Sequence, residues 1–146
     1  MRRIAKFFAL APSDRAVVLN TLAPLLVMRA ATWTLTFARV QQIAEAMTRP
    51  VRGDAAGIRP SPTRIAWAVT TVSRVVPHGT NCLVRALATG IVLKRYGYPS
   101  ELRIGVMKPA GSRLEAHAWL ESGGSVVIGD FQLDRYVPLT AGDSLA

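Results

Sequence analysis

Three side chains in the second half of the sequence have the types and the order of a thiol-based catalytic site. Cys82, the only cysteine, stands where an apolar helical pattern begins, and His117 and Asp130 lie on two predicted strands that follow it. A thiolate, an imidazole that exchanges protons and a carboxylate that orients the imidazole can together perform acyl transfer through a covalent intermediate. We therefore predict Cys82 as the nucleophile, His117 as the general base and acid, and Asp130 as the group that orients His117.

The predicted strand pairing brings the last two of these residues together. Gly123-Gly124 between two apolar runs is typical of a two-residue hairpin turn. With that turn Ser122 faces Ser125, and the same register continued along both strands places His117 directly opposite Asp130. Directly opposed residues have Cβ atoms ~5 Å apart, so the carboxylate would select one imidazole tautomer and stabilise the imidazolium.

The third residue, Cys82, is predicted at the start of a helix that runs to about Tyr96, with Thr80 or Asn81 as its N-cap. The unpaired N–H groups and the positive end of a helix dipole stabilise a thiolate there. The Cys82 backbone N–H would also be one donor of an oxyanion hole. A cysteine at a helix start is also compatible with a small buried apolar residue, and this alternative stays open.

Two alternative uses of these residues are weaker. His78 lies four residues before Cys82 and competes as the base, but it has no evident carboxylate partner. A metal site made of His78, Cys82, His117 and Asp130 has suitable ligand types but lacks closely spaced ligand pairs on one element. We therefore expect no metal and no cofactor.

The N-terminal third is predicted to be helical. Ser13 and Asp14 can cap a helix that runs into Leu22, Pro24 should kink or break it, and a second segment should follow from about Leu25 to Met47. We assign residues 1–48 to an N-terminal helical region, residues 49–63 to a linker rich in proline and glycine, and residues 64–146 to the core that carries the chemistry.

The core begins with a helix from Thr63, as its cap, through Val76. After the Cys82 helix, Gly97 should end that helix in a left-handed conformation. Alternating apolar residues then predict three strands, and Tyr136, Val137 and Leu139 could pack back on the sheet. The strands are predicted at residues 102–106, 116–122 and 125–130. The fold class is therefore α+β, with a helix packed on an antiparallel sheet and an N-terminal helical region before it.

Composition restricts the possible partners and the compartment. The chain has 146 residues, half of them apolar, which suits one compact domain. Its net charge is +9, concentrated in residues 1–60 with nine basic and three acidic residues. Such a field attracts anionic partners, but no nucleic-acid motif is present, so no nucleic-acid partner is expected. No uncharged run reaches the ~18 residues of a membrane span, although a helix on the membrane surface is compatible with the pattern.

The motifs around the three catalytic candidates resemble one known family, the leader peptidases of lasso-peptide biosynthesis. The resemblance is carried by residues 82–88 (CLVRALA), 103–106 (RIGV), 116–121 (AHAWLE) and 127–130 (VIGD). It implies a transglutaminase-like, papain-like core, with a Cys-His-Asp triad at Cys82, His117 and Asp130 and no cofactor. A single cysteine and a substrate made on the ribosome both fit a reducing cytoplasm.

The same resemblance implies the partners. The substrate would be a ribosomally made precursor whose leader is removed before a separate ATP-dependent cyclase closes the freed core. Residues 1–60 look like helices and a linker, so leader recognition is expected from a separate leader-binding protein. Two other functions stay open: a transglutaminase-like acyltransferase with the same triad, and a non-enzymatic adaptor that docks on a membrane or partner through its N-terminal helices.

Overall fold

A helical segment that includes residues 6–8 and four further helices precede a four-stranded sheet in the computed structural model, which describes residues 6–50, 59–76 and 79–139. The four further helices are α1 (Pro12–Thr34), α2 (Phe37–Ala46), α3 (Pro62–Ser73) and α4 (Cys82–Arg95). The strands are β1 (Glu101–Met107), β2 (Glu115–Ser122), β3 (Ser125–Ile128) and β4 (Val137–Pro138), with a 3-10 turn at Leu133–Arg135. The predicted α+β class is confirmed.

The sheet is antiparallel in the order β3-β2-β1-β4. Gly123 and Gly124 both have positive φ angles, as a tight two-residue hairpin turn requires, so the predicted β2–β3 hairpin is confirmed. The predicted return of the tail is also confirmed, since Val137 pairs with Val106 and the Leu139 N–H donates to the Ile104 carbonyl at 2.8 Å.

One hydrophobic core joins the N-terminal helices to the rest of the chain. Leu25 and Met28 of α1 are fully buried against α3 and α4, and Ala118 and Leu120 bring β2 into the same core. Residues 51–58 of the predicted linker lie outside the described residues, and its last two residues, Pro62 and Thr63, already belong to α3. Part of the apolar content of the N-terminal region is thus used to build the core.

The predicted break at Pro24 is wrong. Helix α1 runs through Pro24 to Thr34, and the chain leaves the helix at Leu35 and Thr36 instead. Proline inside a helix loses one backbone hydrogen bond and crowds the preceding turn. Pro24 is fully buried here, next to Leu25, so its packing in the core offsets that cost.

The N-caps that the sequence predicted for α1 and α3 also differ from those in the structure. Helix α1 begins at Pro12 after Ala11, without a side-chain cap, because proline at the first helical position needs no partner for an N–H. Asp14 instead accepts two hydrogen bonds from the Arg64 guanidinium, one of them from Nε at 2.8 Å. This hydrogen bonding lowers the pKa of the Asp14 carboxyl, against partial desolvation that raises it. Helix α3 is capped by Ser61 rather than Thr63.

Helix α1 is also long and apolar enough, by length and composition, to cross a membrane. It is the helix of the described region that meets this test, and one of its faces lies in the core just described. Sequence runs between charges had predicted no spanning segment, because Arg15 and Arg29 interrupt the apolar stretch.

Candidate active site

Cys82 is the first residue of α4, as predicted. Asn81 precedes it in an extended conformation, and its side-chain Oδ1 accepts a hydrogen bond from the Val84 N–H at 2.9 Å. Asn81 is therefore the N-cap, one of the two residues that the sequence offered for this role. Cys82 is partly buried against the edge of the core and is a free thiol at the positive end of a 14-residue helix.

Helix α4 packs against strand β2 in the hydrophobic core. The two elements touch at Gly90 and Leu120, where a Cβ built on Gly90 would lie 3.3 Å from Leu120 Cδ1. Cys82 lies eight residues before Gly90, or about 12 Å along a helix. His117 lies three residues before Leu120, or about 10 Å along a strand. Each residue therefore lies about 10–12 Å along its own element from the contact between Gly90 and Leu120.

The His117 ring is held by a backbone carbonyl. Its Nε2 lies 2.7 Å from the Gly129 carbonyl oxygen, on the neighbouring strand side of β2. A carbonyl oxygen can only accept, so Nε2 carries the proton and donates it. The neutral ring is then the Nε2–H tautomer, and its Nδ1 has a lone pair available to take a proton. In this tautomer, Nδ1 is the ring nitrogen that can accept a proton or a hydrogen bond.

The predicted pairing of His117 with Asp130 is wrong in register. Ser122 pairs with Ser125 and Glu121 with Val126 as expected, but Leu120 pairs with Ile128. Val127 is therefore an extra residue, a β-bulge that shifts everything beyond it by one position.

Gly129 explains the local geometry beyond the bulge. Its φ is +87°, and a Cβ there would lie 2.8 Å from the Ala118 carbonyl oxygen and from Trp119 Cβ. Only glycine fits this approach to β2 without strain. Strand β3 has ended at Ile128, and the Gly129 carbonyl occupies the position beside His117 in which the carboxylate was expected. Within the described residues, Asp130 is exposed and makes no hydrogen bond to the ring.

Cys82 and His117 are not joined by a hydrogen bond within the described part of the chain. Side chains alternate along β2, so His117 shares a face with Trp119, whereas Ala118 and Leu120 face the helices. Among the described residues, the structure thus brings His117 together with the Gly129 carbonyl, whereas Cys82 makes no hydrogen bond to the ring. His78 lies outside the described residues. Among those described, no group of three potential metal ligands is close enough to hold an ion.

The rings of Trp119 and Tyr136 both lie beside the imidazole of His117. The Tyr136 ring centroid lies 5.2 Å from that of His117, and Trp119 stacks at 6.3 Å on the same face. Gly105, which pairs with His117 across the β1–β2 ladder, makes room for both rings, because a Cβ there would lie 2.9 Å from Trp119 Cζ3 and from Tyr136 Cβ. The sequence carried three signals for this arrangement: strand alternation puts Trp119 on the His117 face, Tyr136 was expected to return to the sheet, and Gly105 interrupts the apolar residues of β1.

Arg85 lies one turn of α4 beyond Cys82 and is partly buried. Its Nε is buried and has no hydrogen-bond partner among the described residues. A guanidinium at i+3 from the cysteine adds positive charge beside the thiol, in the same sense as the helix dipole.

The comparison with known families agrees with this architecture. The model of the transglutaminase-like superfamily matches residues 25–141, which include α3, α4 and the whole sheet. No curated protein and no solved structure matches the chain significantly.

Proposed function

Because the chain belongs to the transglutaminase-like superfamily, which is generally enzymatic and includes cysteine peptidases and acyltransferases, we propose that it is a cysteine peptidase that removes the leader from a lasso-peptide precursor. Two observations support this proposal: Cys82 stands at the capped start of α4, and the Nε2 of His117 is held by the Gly129 carbonyl so that Nδ1 is available to accept a proton. The finer choice of substrate rests on the sequence motifs around these residues.

The proposed reaction follows from the tautomer of His117. Nδ1 takes the proton of the Cys82 thiol, and the thiolate attacks the carbonyl carbon of the leader–core junction. The Cys82 N–H, at the helix N-terminus, stabilises the oxyanion. The imidazolium then returns the proton from Nδ1 to the leaving amine, which frees the core and leaves a leader thioester on Cys82. Water, deprotonated by Nδ1, hydrolyses the thioester and releases the leader carboxylate.

Asp130 enters the proposal as a positioning residue rather than as the direct partner of the ring. Its exposed carboxylate follows the carbonyl that accepts from Nε2, so its negative charge would favour the imidazolium. The Gly129 carbonyl fixes the tautomer of His117, which is the role that we predicted for Asp130.

The proposed partners follow the same reasoning. The described N-terminal segment is helical and packs into the core, and we propose that a separate leader-binding protein delivers the precursor. A separate ATP-dependent cyclase would take the freed core, and we propose the cytoplasm as the compartment.

The test is a cleavage assay with a synthetic lasso-peptide precursor that spans its leader–core junction, with and without the leader-binding protein, read by mass spectrometry. The native chain should yield a leader with a free carboxylate, and Cys82→Ala should abolish the products. His117→Ala should lower kcat/KM by a factor on the order of 10³ or more. A leader recovered as an amide with an added amine would establish the acyltransferase instead. Cleavage that survives Cys82→Ala would refute the proposal.

The variant Asp130→Asn tests whether the Gly129 carbonyl or the Asp130 carboxylate orients the His117 ring. If the Gly129 carbonyl holds the ring, losing the carboxylate charge should cost about tenfold in kcat/KM, as expected for a partly solvated charge. A loss on the order of 10⁴ would mean that the carboxylate itself orients His117 during the reaction. Ser122→Ala, a polar change on the same hairpin, serves as the control and should leave the rate unchanged.

A further inference from the structure

Helix α1 has a second apolar face that packs against nothing in the described structure. Its buried face includes Leu25 and Met28, and the opposite face is equally apolar between positions 19 and 33. The outward side chains of that segment share one stripe along the helix and are exposed to solvent: Leu19, Leu22, Ala23, Leu26, Val27, Ala30 and Trp33. We call this set the α1 stripe.

The α1 stripe exposes much more continuous apolar surface than a single exposed leucine does. Its positions repeat every three or four residues, so they form a continuous band that is about 21 Å long. Leu19 is 58% exposed and Trp33 is 77% exposed. An apolar band of this length on the surface of a folded domain marks an interaction site, because its exposure to water is unfavourable.

The charges around the α1 stripe indicate the occupant. From Arg15 to Ala44 the sequence contains three arginines and no acidic residue. The nearest carboxylate on α1, Asp14, is engaged by Arg64. Arg29 lies at the border of the stripe with its guanidinium 5.1 Å from the centre of the Trp33 ring. Within α1, the charged residues from Arg15 to Trp33 are therefore all basic, which complements an anionic surface.

We propose that the α1 stripe binds the surface of an anionic lipid membrane, with α1 parallel to the bilayer plane. A helix that lies in the interface presents leucine and tryptophan to the acyl chains and basic residues to the lipid headgroups. An exposed tryptophan at one end is suited to the headgroup level, where an amphipathic ring is stable. A second copy of the chain fits less well, since the arginines of its own α1 would meet those of the first.

The location is independent of the proposed peptidase chemistry. The α1 stripe lies on the face of α1 opposite to the core that α1 shares with α4, so membrane binding and thiol chemistry can be lost separately. Each property has its own readout.

The test is flotation of the purified full chain with vesicles made of equal parts phosphatidylglycerol and phosphatidylcholine, compared with pure phosphatidylcholine. Binding should be about thirtyfold stronger to the anionic vesicles, as expected for the two arginines of α1, Arg15 and Arg29, and should weaken at high salt. Leu19→Gln with Leu26→Gln should weaken it by about tenfold or more. The matched control, Val75→Gln with Leu114→Gln, changes two side chains of similar exposure elsewhere and should leave binding unchanged.

Three results would overturn the proposal. They are an absence of flotation with anionic vesicles, equal flotation of the stripe variant and its control, and a dimer in sedimentation velocity that the stripe variant dissociates. Circular dichroism of both double variants shows whether they are folded, and all four positions are exposed, so the native helix content is expected. Precursor cleavage by the stripe variant in vesicle-free solution should equal that of the native chain, which separates this proposal from the peptidase.

Discussion

Replacing Gly129 with alanine should destabilise the fold much more than the same change at Gly111. Both glycines have φ angles in the left-handed region, +87° and +75°. A residue with a Cβ loses about 1 kcal/mol in that region, so this cost is common to both variants. At Gly111 nothing lies within 4 Å of the added Cβ. At Gly129 the Cβ would lie 2.8 Å from the Ala118 carbonyl and from Trp119 Cβ, which forces backbone to move.

The steric difference sets the expected magnitude. Overpacking against a buried strand costs about 1–3 kcal/mol, so Gly129→Ala should lose about 2–4 kcal/mol and Gly111→Ala about 1 kcal/mol. Urea unfolding followed by circular dichroism measures both free energies. Equal losses in the two variants would refute the close approach of Gly129 to β2, and with it the placement of the carbonyl beside His117.

The Gly129→Ala variant should also free the His117 imidazole from its hydrogen bond to the backbone carbonyl of residue 129. In a His78→Gln background His117 is the only histidine, so ¹⁵N NMR reports its tautomer alone. The Nε2–H form should dominate before the change at Gly129, because only this form donates to the carbonyl. After the change both tautomers should be populated. A dominant Nδ1–H form in the starting protein would contradict the orientation of the ring.

Two further predictions concern caps and charges. Asn81→Ala and Ser61→Ala should each cost about 1 kcal/mol in urea unfolding, because each removes one N-cap. Only the first should also slow alkylation of the thiol; equal alkylation in both variants would show that the cap of α4 does not position the cysteine. The hydrogen bonds from Arg64 lower the pKa of the Asp14 carboxyl. The ionised carboxylate therefore stabilises the folded protein at neutral pH, and this contribution is lost as the pH falls through the acid range. The difference in unfolding midpoint between the native chain and Asp14→Asn should therefore vanish near pH 2, whereas Glu45→Gln, at an exposed pair, should show little difference at any pH. A difference for Asp14→Asn that persists at pH 2 would contradict this assignment.

The sequence predicted the elements of the site better than their exact pairing. Local signals were enough for the start of α4, because Asn81 supplies a cap, and for the β2–β3 hairpin, because two glycines fit a tight turn. The bulge at Val127 was not predictable, since it depends on how Gly129 fits against the backbone of Ala118. A strand pairing that is counted outward from the turn takes no account of such contacts further along the strands.

The same limit explains the error at Pro24 and the unpredicted contact between Tyr136 and His117. Proline predicts a break from its own backbone chemistry, whereas its burial in the core decides the outcome. Tyr136 reaches His117 only because β4 returns to β1, a contact between residues far apart in the sequence. The α+β class, in contrast, follows from the change of apolar period between α4 and β1.

The rate of alkylation of Cys82 by iodoacetamide tests the central claim most directly, because the chain has one cysteine. The measurement compares the folded native chain, the folded His117→Ala variant and the chain unfolded in urea at neutral pH. A thiolate coupled to His117 should make the folded native chain react faster than the unfolded chain, and His117→Ala should remove this advantage. A folded chain that reacts more slowly than the unfolded one, with no effect of His117→Ala, would show a structural cysteine and contradict the peptidase.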